Sequence, residues 1–303
     1  MSHIRFAVPA DTEQIKNIWR VCFNDSEAFL DWNFSRNYSP ENTLLCEMNG
    51  KIVSDLQMIP YALSIGGAPA GADYISGAAT LPEYRGRGIM GELLRRSFEE
   101  SRRRGHELSF LVPARAEFYE KFGYKFYWFR RKHSCNQADL RGFESSGNME
   151  PLGLGNIDAL LRLYRAFAGP YDGYALRTRE NFRPVLEDHL WISNGEIFAH
   201  RGSGGELDGY VMYYFYNGKL MVNEIAWLNA AALHSMLFHI SGAGSGGLPV
   251  EIITPAGVDL CGGIASETLP FAMAKPLSEV GGKALWLFTF GNTHQNFVNL
   301  LLE

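Results

Sequence analysis

Between residues 79 and 93 the sequence runs ATLPEYRGRGIMGEL. A strand-like run, ADYISGAAT, feeds into it, and Leu93, Leu94, Ser97 and Phe98 lead out of it at helical spacing. A chain that passes from a strand into a crossover helix through one short turn belongs among the layered α/β architectures. The turn carries Arg85, Gly86, Arg87 and Gly88. Amides from Arg85 to Met90 precede or open the helix and have no acceptor within it. The helix dipole adds partial positive charge at the same end. Such an end is suited to an anion, phosphate above all. Gly86 and Gly88 let a ligand approach the backbone, and the arginines add bidentate donors. The loop lacks the GxxxxGK[ST] of a Walker motif. It is not GxGxxG either, because an arginine stands at the first glycine and the preceding strand belongs to a meander. Charge and glycine count alone leave open a basic surface turn before an ordinary helix.

The remaining chain supplies a consistent frame. A short strand, HIRFAV, is followed by a helix with Ile15, Ile18, Trp19 and Cys22 on one face and Asp11 placed as its cap. SEAFLDWNFSRN is a second short helix. Asn49-Gly50 marks a hairpin, since both turn positions tolerate positive φ. The helix after the loop ends at Gly105 behind Arg102, Arg103 and Arg104, which complement its carbonyl end. HELSFLVP has the apolar centre of a buried parallel strand. A short helix, ARAEFYEKF, stops at Gly123, and YKFYWFRRKHSCN is a strand. The order through residue 135 is β-α-α-β-β-β-α-β-α-β.

Arg141 to Pro151 is polar and glycine-containing. We expect a first domain over 1–140, a linker over 141–149 and a second domain over 150–303. The second repeats the element order at low resolution without a residue-level repeat. Its tail from Gly281 is expected to form an apolar strand and a short amphipathic helix.

TLPEYRGRGIMGELL, followed by FYEKFGY, resembles the GNAT superfamily of acyl-CoA-dependent N-acetyltransferases. That family's hallmark is Arg/Gln-x-x-Gly-x-Gly/Ala on the loop holding the coenzyme A pyrophosphate. Here it corresponds to Arg85, Gly86, Arg87, Gly88, Ile89 and Met90, with Met90 where Gly or Ala is usual and Gly91 just after it. The bulk of Met90 is expected to narrow the approach without removing the amides. The resemblance implies that Ala78, Thr80 and Leu81 offer backbone groups to the pantetheine arm. It also implies that Tyr119 is the general acid facing the departing thiolate; a phenol with pKa near 10 is protonated at neutral pH. Packing beside the cofactor is the plainer role for Tyr119, and Tyr124 is a rival that falls past the helix-ending glycine.

The length and paired architecture are similar to the Eis (enhanced intracellular survival) branch. Its members join an active GNAT domain, a degenerate second one and a sterol-carrier-like third. The expected fold is therefore α/β (α+β layered), with two tandem GNAT-like domains of mixed, mostly antiparallel sheets, the second degenerate and the third domain absent. The second unit has no Arg-x-x-Gly-x-Gly, and its GAGSGG is expected to be a flexible loop. The expected activity is acetyl-CoA-dependent transfer to a primary amine of lysine, polyamine or aminoglycoside type, in a small molecule or peptide. Alternatives are a non-catalytic acyl-CoA sensor or scaffold and a tandem-GNAT aminoacyl or peptidyl transferase.

The general base is not evident, since YISGAAT contains no carboxylate. Asp25, Glu27 and Asp31, in the second helix, are candidates for holding a cationic amine, with a solvated helix face as the plain alternative. Trp32, Phe34 and Trp128 could line the acceptor pocket or belong to the core. The histidines show no metal-ligand spacing, so no metal is expected. The net charge of -5 argues against nucleic acid. No apolar run reaches the ~20 residues of a membrane span, and no signal peptide is evident. Four scattered cysteines, Cys22, Cys46, Cys135 and Cys261, suit buried thiols in a reducing compartment, hence a cytoplasmic protein. A homo-oligomer stays open.

Overall fold

The computed structural model describes residues 2–260 and 263–290. They form two compact units of mixed α/β structure. The first runs to Tyr127 and takes in Phe271–Thr289; the second is built on Trp128–Pro270.

The first unit begins with β1 (Ser2–Phe6), α1 (Thr12–Phe23) and α2 (Glu27–Arg36). Asp11, expected to cap α1, turns back instead: it accepts from the Val8 amide at 2.8 Å and pairs with Arg5 at 2.6 Å. Ser26 caps α2 by accepting from the Phe29 amide. A meander follows, β2 (Thr43–Met48), β3 (Lys51–Ile65) and β4 (Ala68–Thr80). Its first hairpin turns at Asn49 and Gly50, with φ of 52° and 76°. Then come α3 (Ile89–Arg103), β5 (Leu108–Leu111) and α4 (Ala116–Glu120). Strands β1 to β4 pair antiparallel in sequence order, and α3 returns the chain so that β5 lies parallel to β4. Alternation along the strands divides the core. Leu45, Ala79 and Leu81 pack with Ile15, Ile18 and Leu30 of α1 and α2. Leu44, Leu56 and Ile75 pack with Leu93, Leu94 and Phe98 of α3.

Strand β6 (Lys125–Asn136) leads into the second unit. There the element order recurs: β7 (Asn148–Pro151), α5 (Ile157–Ala168), α6 (Arg179–Glu187), β8 (Glu196–Arg201), β9 (Leu207–Tyr216), β10 (Lys219–Trp227), α7 (Ala230–Ser241) and β11 (Pro249–Pro255). Its pairings recur too, three antiparallel and then β10 with β11 parallel. Strand β12 (Ala265–Pro276) and α8 (Glu279–Phe290) close the described chain.

The last strand of each sheet comes from the other half of the sequence. Arg130–Asn136 of β6 pair with β11, while Met273–Pro276 of β12 pair with β5. A cut at 141–149 therefore does not follow the strand pairing, and Asn148 and Met149 already lie in β7. The tail corrects a second expectation: from Gly281 to Phe290 the chain is helix α8, not strand. A short apolar run has no period to choose between the two, and Ser278 Oγ takes the Gly281 amide at the helix start. The expected terminal helix lies outside the described residues.

Candidate functional site

The turn from Pro82 to Gly88 is open. Pro82–Tyr84 make one tight turn after β4, Gly86 and Gly88 take φ of 76° and 78°, and α3 starts at Ile89. Those left-handed angles are what require glycine, because a Cβ at either position would meet nothing within 4 Å. The amides from Gly86 to Gly91 donate to no group among the described residues. Neither Arg85 nor Arg87 pairs with a carboxylate there. Arg85 donates to the Thr80 carbonyl at 2.9 Å; Arg87 donates to the Glu83 carbonyl at 2.9 Å and lies over the Tyr84 ring. Ile89 is buried, and Met90 is partly buried against the same apolar cluster. Gly91 is needed for a different reason: a Cβ there would lie 2.9 Å from the Phe122 ring of the FGY segment.

Beside the loop the sheet opens. β4 pairs with β5 only over Ala72–Tyr74, while its pairing with β3 continues to Thr80. The stretch from Ser76 to Ala78 is half-buried and has no β5 partner. A bulge at this point puts Gly77 at φ 59° with the Trp19 indole lying directly on it. Of the three positions expected to offer backbone groups, Ala78 stands at this opening. The Leu81 amide donates to Val53 O and its carbonyl accepts from Tyr84, so both are used within the chain. The Thr80 carbonyl accepts from Arg85 and from the Cys22 thiol.

Tyr119 lies on α4, half-buried against the cluster that also holds Ala78 and Met90. Its hydroxyl donates to no described residue, and burial raises its pKa, so it is a protonated phenol at neutral pH. Tyr124 is fully buried, and its hydroxyl is engaged with Ser109 Oγ at 2.6 Å. The two rings meet edge to face at 5.9 Å.

On the opposite face, toward α1 and α2, two expected carboxylates are already neutralised. Glu27 is bidentate to Arg20, and Asp31 pairs with Lys16. Asp25 has no ion pair among the described residues, and partial burial raises its pKa. Phe34 packs edge-on to Trp19 at 5.5 Å and Trp32 is buried beside Phe29. Trp128 falls in the second unit, where its indole donates to Gly173 O.

The sequence reading missed Asp55. It sits on β3 opposite Ala79, is fully buried, and accepts from Trp19 Nε1 at 3.2 Å. Its other oxygen has no partner. Burial drives its pKa well above the carboxylate range. The legible signal was SDLQM: polar residues at the inward positions of a strand apolar elsewhere.

Among the described residues, the second unit shows no such arrangement. After β10 its chain enters α7 at Asn229, whose side chain caps the Ala232 amide. Glu224 of β10 lies beside a bulge like that of β4, but Arg177 holds it in two bonds of 2.8 Å, and Tyr210 adds a third. Arg177 is itself sandwiched between Tyr164 and Phe182. Cys22, Cys46 and Cys135 are free thiols with pKa values raised by burial; Cys261 lies outside the described residues. Among the described residues no three ligating side chains gather for a metal, and no helix is long and apolar enough to cross a membrane.

Residues 3–127 match the family model of the acetyltransferase (GNAT) domain. No curated protein matches the sequence. Among solved structures, the chain is similar to a GCN5-related N-acetyltransferase from Anabaena variabilis, with 19% identity and a TM-score of 0.81, covering 93% of this chain and 74% of that one. A probable N-acyltransferase from Enterococcus faecalis also gives a TM-score of 0.81, at 16% identity over 91% of this chain and 72% of that one. Eis1 from Mycobacterium abscessus gives 0.70 at 16% identity, covering 94% of this chain and 76% of that one. The shared fold thus runs through both units.

Proposed function

Residues 3–127 match the model of the acetyltransferase (GNAT) domain; on that premise we propose that the protein is an acyltransferase that moves an acetyl group from acetyl-CoA directly onto a primary amine. The observation that carries this reading is the row of unpaired amides from Gly86 to Gly91 beside two uncompensated arginines. A pyrophosphate has the charge and the acceptor oxygens to use them. Acetyl-CoA supplies the activated acyl thioester. Arg85 and Arg87 hold the charged end, and the β4 edge at Ala78 receives the arm. Tyr119 keeps its phenolic proton on Oη and is the donor to the departing sulfur.

Acceptors of lysine, polyamine or aminoglycoside type fit the acidic balance of the chain, and Asp25, between α1 and α2, has no ion pair among the described residues and can attract them. The second unit acts as a scaffold without coenzyme A, because its corresponding helix start is capped by its own asparagine. We place the protein in the cytoplasm on the strength of its free, protonated thiols.

Thermal unfolding with and without acetyl-CoA tests the reading. At a hundredfold excess over Kd, binding adds about 2.7 kcal/mol, a rise of roughly 5–10 °C for a unit this size. Wild type and Tyr119→Phe should both shift, and Gly88→Glu should not. Tyr119→Phe should lower turnover on an amine panel by roughly 10²–10⁴-fold. No shift in the wild type would make the loop a basic turn. A shift with no turnover on any amine would make the protein an acyl-CoA sensor.

A further inference from the structure

The buried carboxylates of the two units make a natural comparison. Each lies at the bulge between the third and fourth strands of its sheet, on the face covered by the first two helices. In the second unit every demand of Glu224 is met, by a bidentate arginine and a tyrosine. In the first, Asp55 has one indole donor and nothing else among the described residues. Burying a carboxylate without a cation costs several kcal/mol, so a half-satisfied one is unusual unless something else completes it.

Other buried polar groups of the first unit are unpartnered among the described residues. Gln57 shares the face of Asp55 two residues along β3, is 2% exposed, and leaves Nε2 without a partner. Asn33 of α2 is 6% exposed and leaves Nδ2 without one. Trp19 is tied to Asp55, and the ring of Phe34 extends the aromatic wall to Tyr38, stacked on it at 4.8 Å. Gln57 pairs across the sheet with Ser76, where the half-buried opening of β4 begins. Asp55 is therefore one step along the strand from the cleft in which the acyl group would lie.

We propose that Asp55 receives the acceptor's amino group as a primary ammonium and takes its proton, making it the general base that β4 does not supply. This rests on the acetyl-transfer reading above. The ligand class follows from the unpartnered Oδ1: a compact cation with N–H donors, the kind of partner that Glu224 has in Arg177, on a carbon stem that can lie against Trp19 and Phe34. The ammonium N–H bond breaks and its proton goes to Asp55 Oδ1, leaving a neutral amine. Its lone pair forms the C–N bond to the acetyl carbon as the C–S bond breaks. The sulfur takes the Tyr119 proton, the second nitrogen proton restores Tyr119, and the proton on Asp55 leaves to solvent. The net products are an N-acetyl amine, a thiol and one proton. Burial favours the neutral form of Asp55, and a primary ammonium seated beside it favours the carboxylate that accepts the proton. Asp25 then attracts the amine from outside, and Asp55 acts on it within.

The test uses wild type and Asp55→Asn, which keeps an oxygen for Trp19 and removes the charge. Three quantities are measured: the acetyl-CoA thermal shift, calorimetric binding of butylamine and spermidine with coenzyme A present, and kcat/KM for their acetylation. We expect Asp55→Asn to unfold no earlier than wild type and to keep the acetyl-CoA shift. It should bind both amines at least tenfold more weakly and lose roughly 10²–10⁴-fold in kcat/KM. A variant that binds and acetylates the amines within about threefold of wild type overturns the proposal and leaves the acetyltransferase reading standing. If the wild type does not bind acetyl-CoA, that reading falls instead, and the amine titration still decides: weaker binding by the variant supports Asp55, and equal or absent binding in both proteins overturns it.

Discussion

Replacing Gly77 with alanine probes the joint on which the acceptor side of the site is built. Gly77 has φ of 59°, and a Cβ there would fall 2.0 Å from Trp19 Cζ2, 2.6 Å from Cε2 and 2.9 Å from Nε1. Trp19 cannot simply turn aside. It is 5% exposed, bonded to Asp55, and wedged between Phe23 at 5.1 Å and Phe34 at 5.5 Å. Two costs combine. A non-glycine residue in the left-handed region loses about 1–2 kcal/mol. Forcing a methyl group into a filled core costs about 1–3 kcal/mol more. The expected loss is thus about 2–5 kcal/mol, a large part of a domain's stability. In a Trp19→Leu background the three clashing atoms are gone, so the same alanine should cost only the backbone part, about 1–2 kcal/mol. Urea unfolding of the four proteins closes the cycle, provided the m-values agree. An equal cost in both backgrounds, or a Gly77→Ala protein within about 1 kcal/mol of wild type, would refute the account of Trp19 as the lid on the bulge.

Two further predictions concern the second unit. Glu224→Gln leaves Arg177 buried and charged without its partner, and should destabilise the protein by about 3–5 kcal/mol in urea while leaving the acetyl-CoA thermal shift of the first unit unchanged. His133 is buried, its Nε2 against Thr254 and its Nδ1 unpartnered, and burial together with Arg131 lowers its pKa to about 4. The unfolded chain binds that proton at a higher pH, so stability should fall as pH drops from the ordinary histidine range toward 4, and His133→Gln should flatten the stability–pH curve across that window.

Local features were legible because their causes are local. Asn49-Gly50 turns a hairpin because both residues take positive φ, and Gly86 and Gly88 are glycines for the same reason. The strand–loop–helix order around Arg85 follows from the change of period at Pro82. Readings that depended on where a side chain points went differently. Met90 packs partly against the core, Glu27 and Asp31 pair with an arginine and a lysine of the neighbouring helix, and the Trp128 indole donates to Gly173 O. Each of these depends on a partner distant in sequence or on the facing of a helix, and residue type alone specifies neither.

By itself the sequence determined the glycine-rich turn at the start of α3 and most of the element order, since turn chemistry and period act over a few residues; Tyr119 came from the family resemblance. The tertiary structure decided which half of the chain supplies the last strand of each sheet, β12 to the first and β6 to the second. It also decided that one buried carboxylate is closed by Arg177 and the other, Asp55, is left incomplete. Strand pairing and the satisfaction of a buried charge are long-range outcomes. They are settled by which surfaces exclude water together once the whole core has formed.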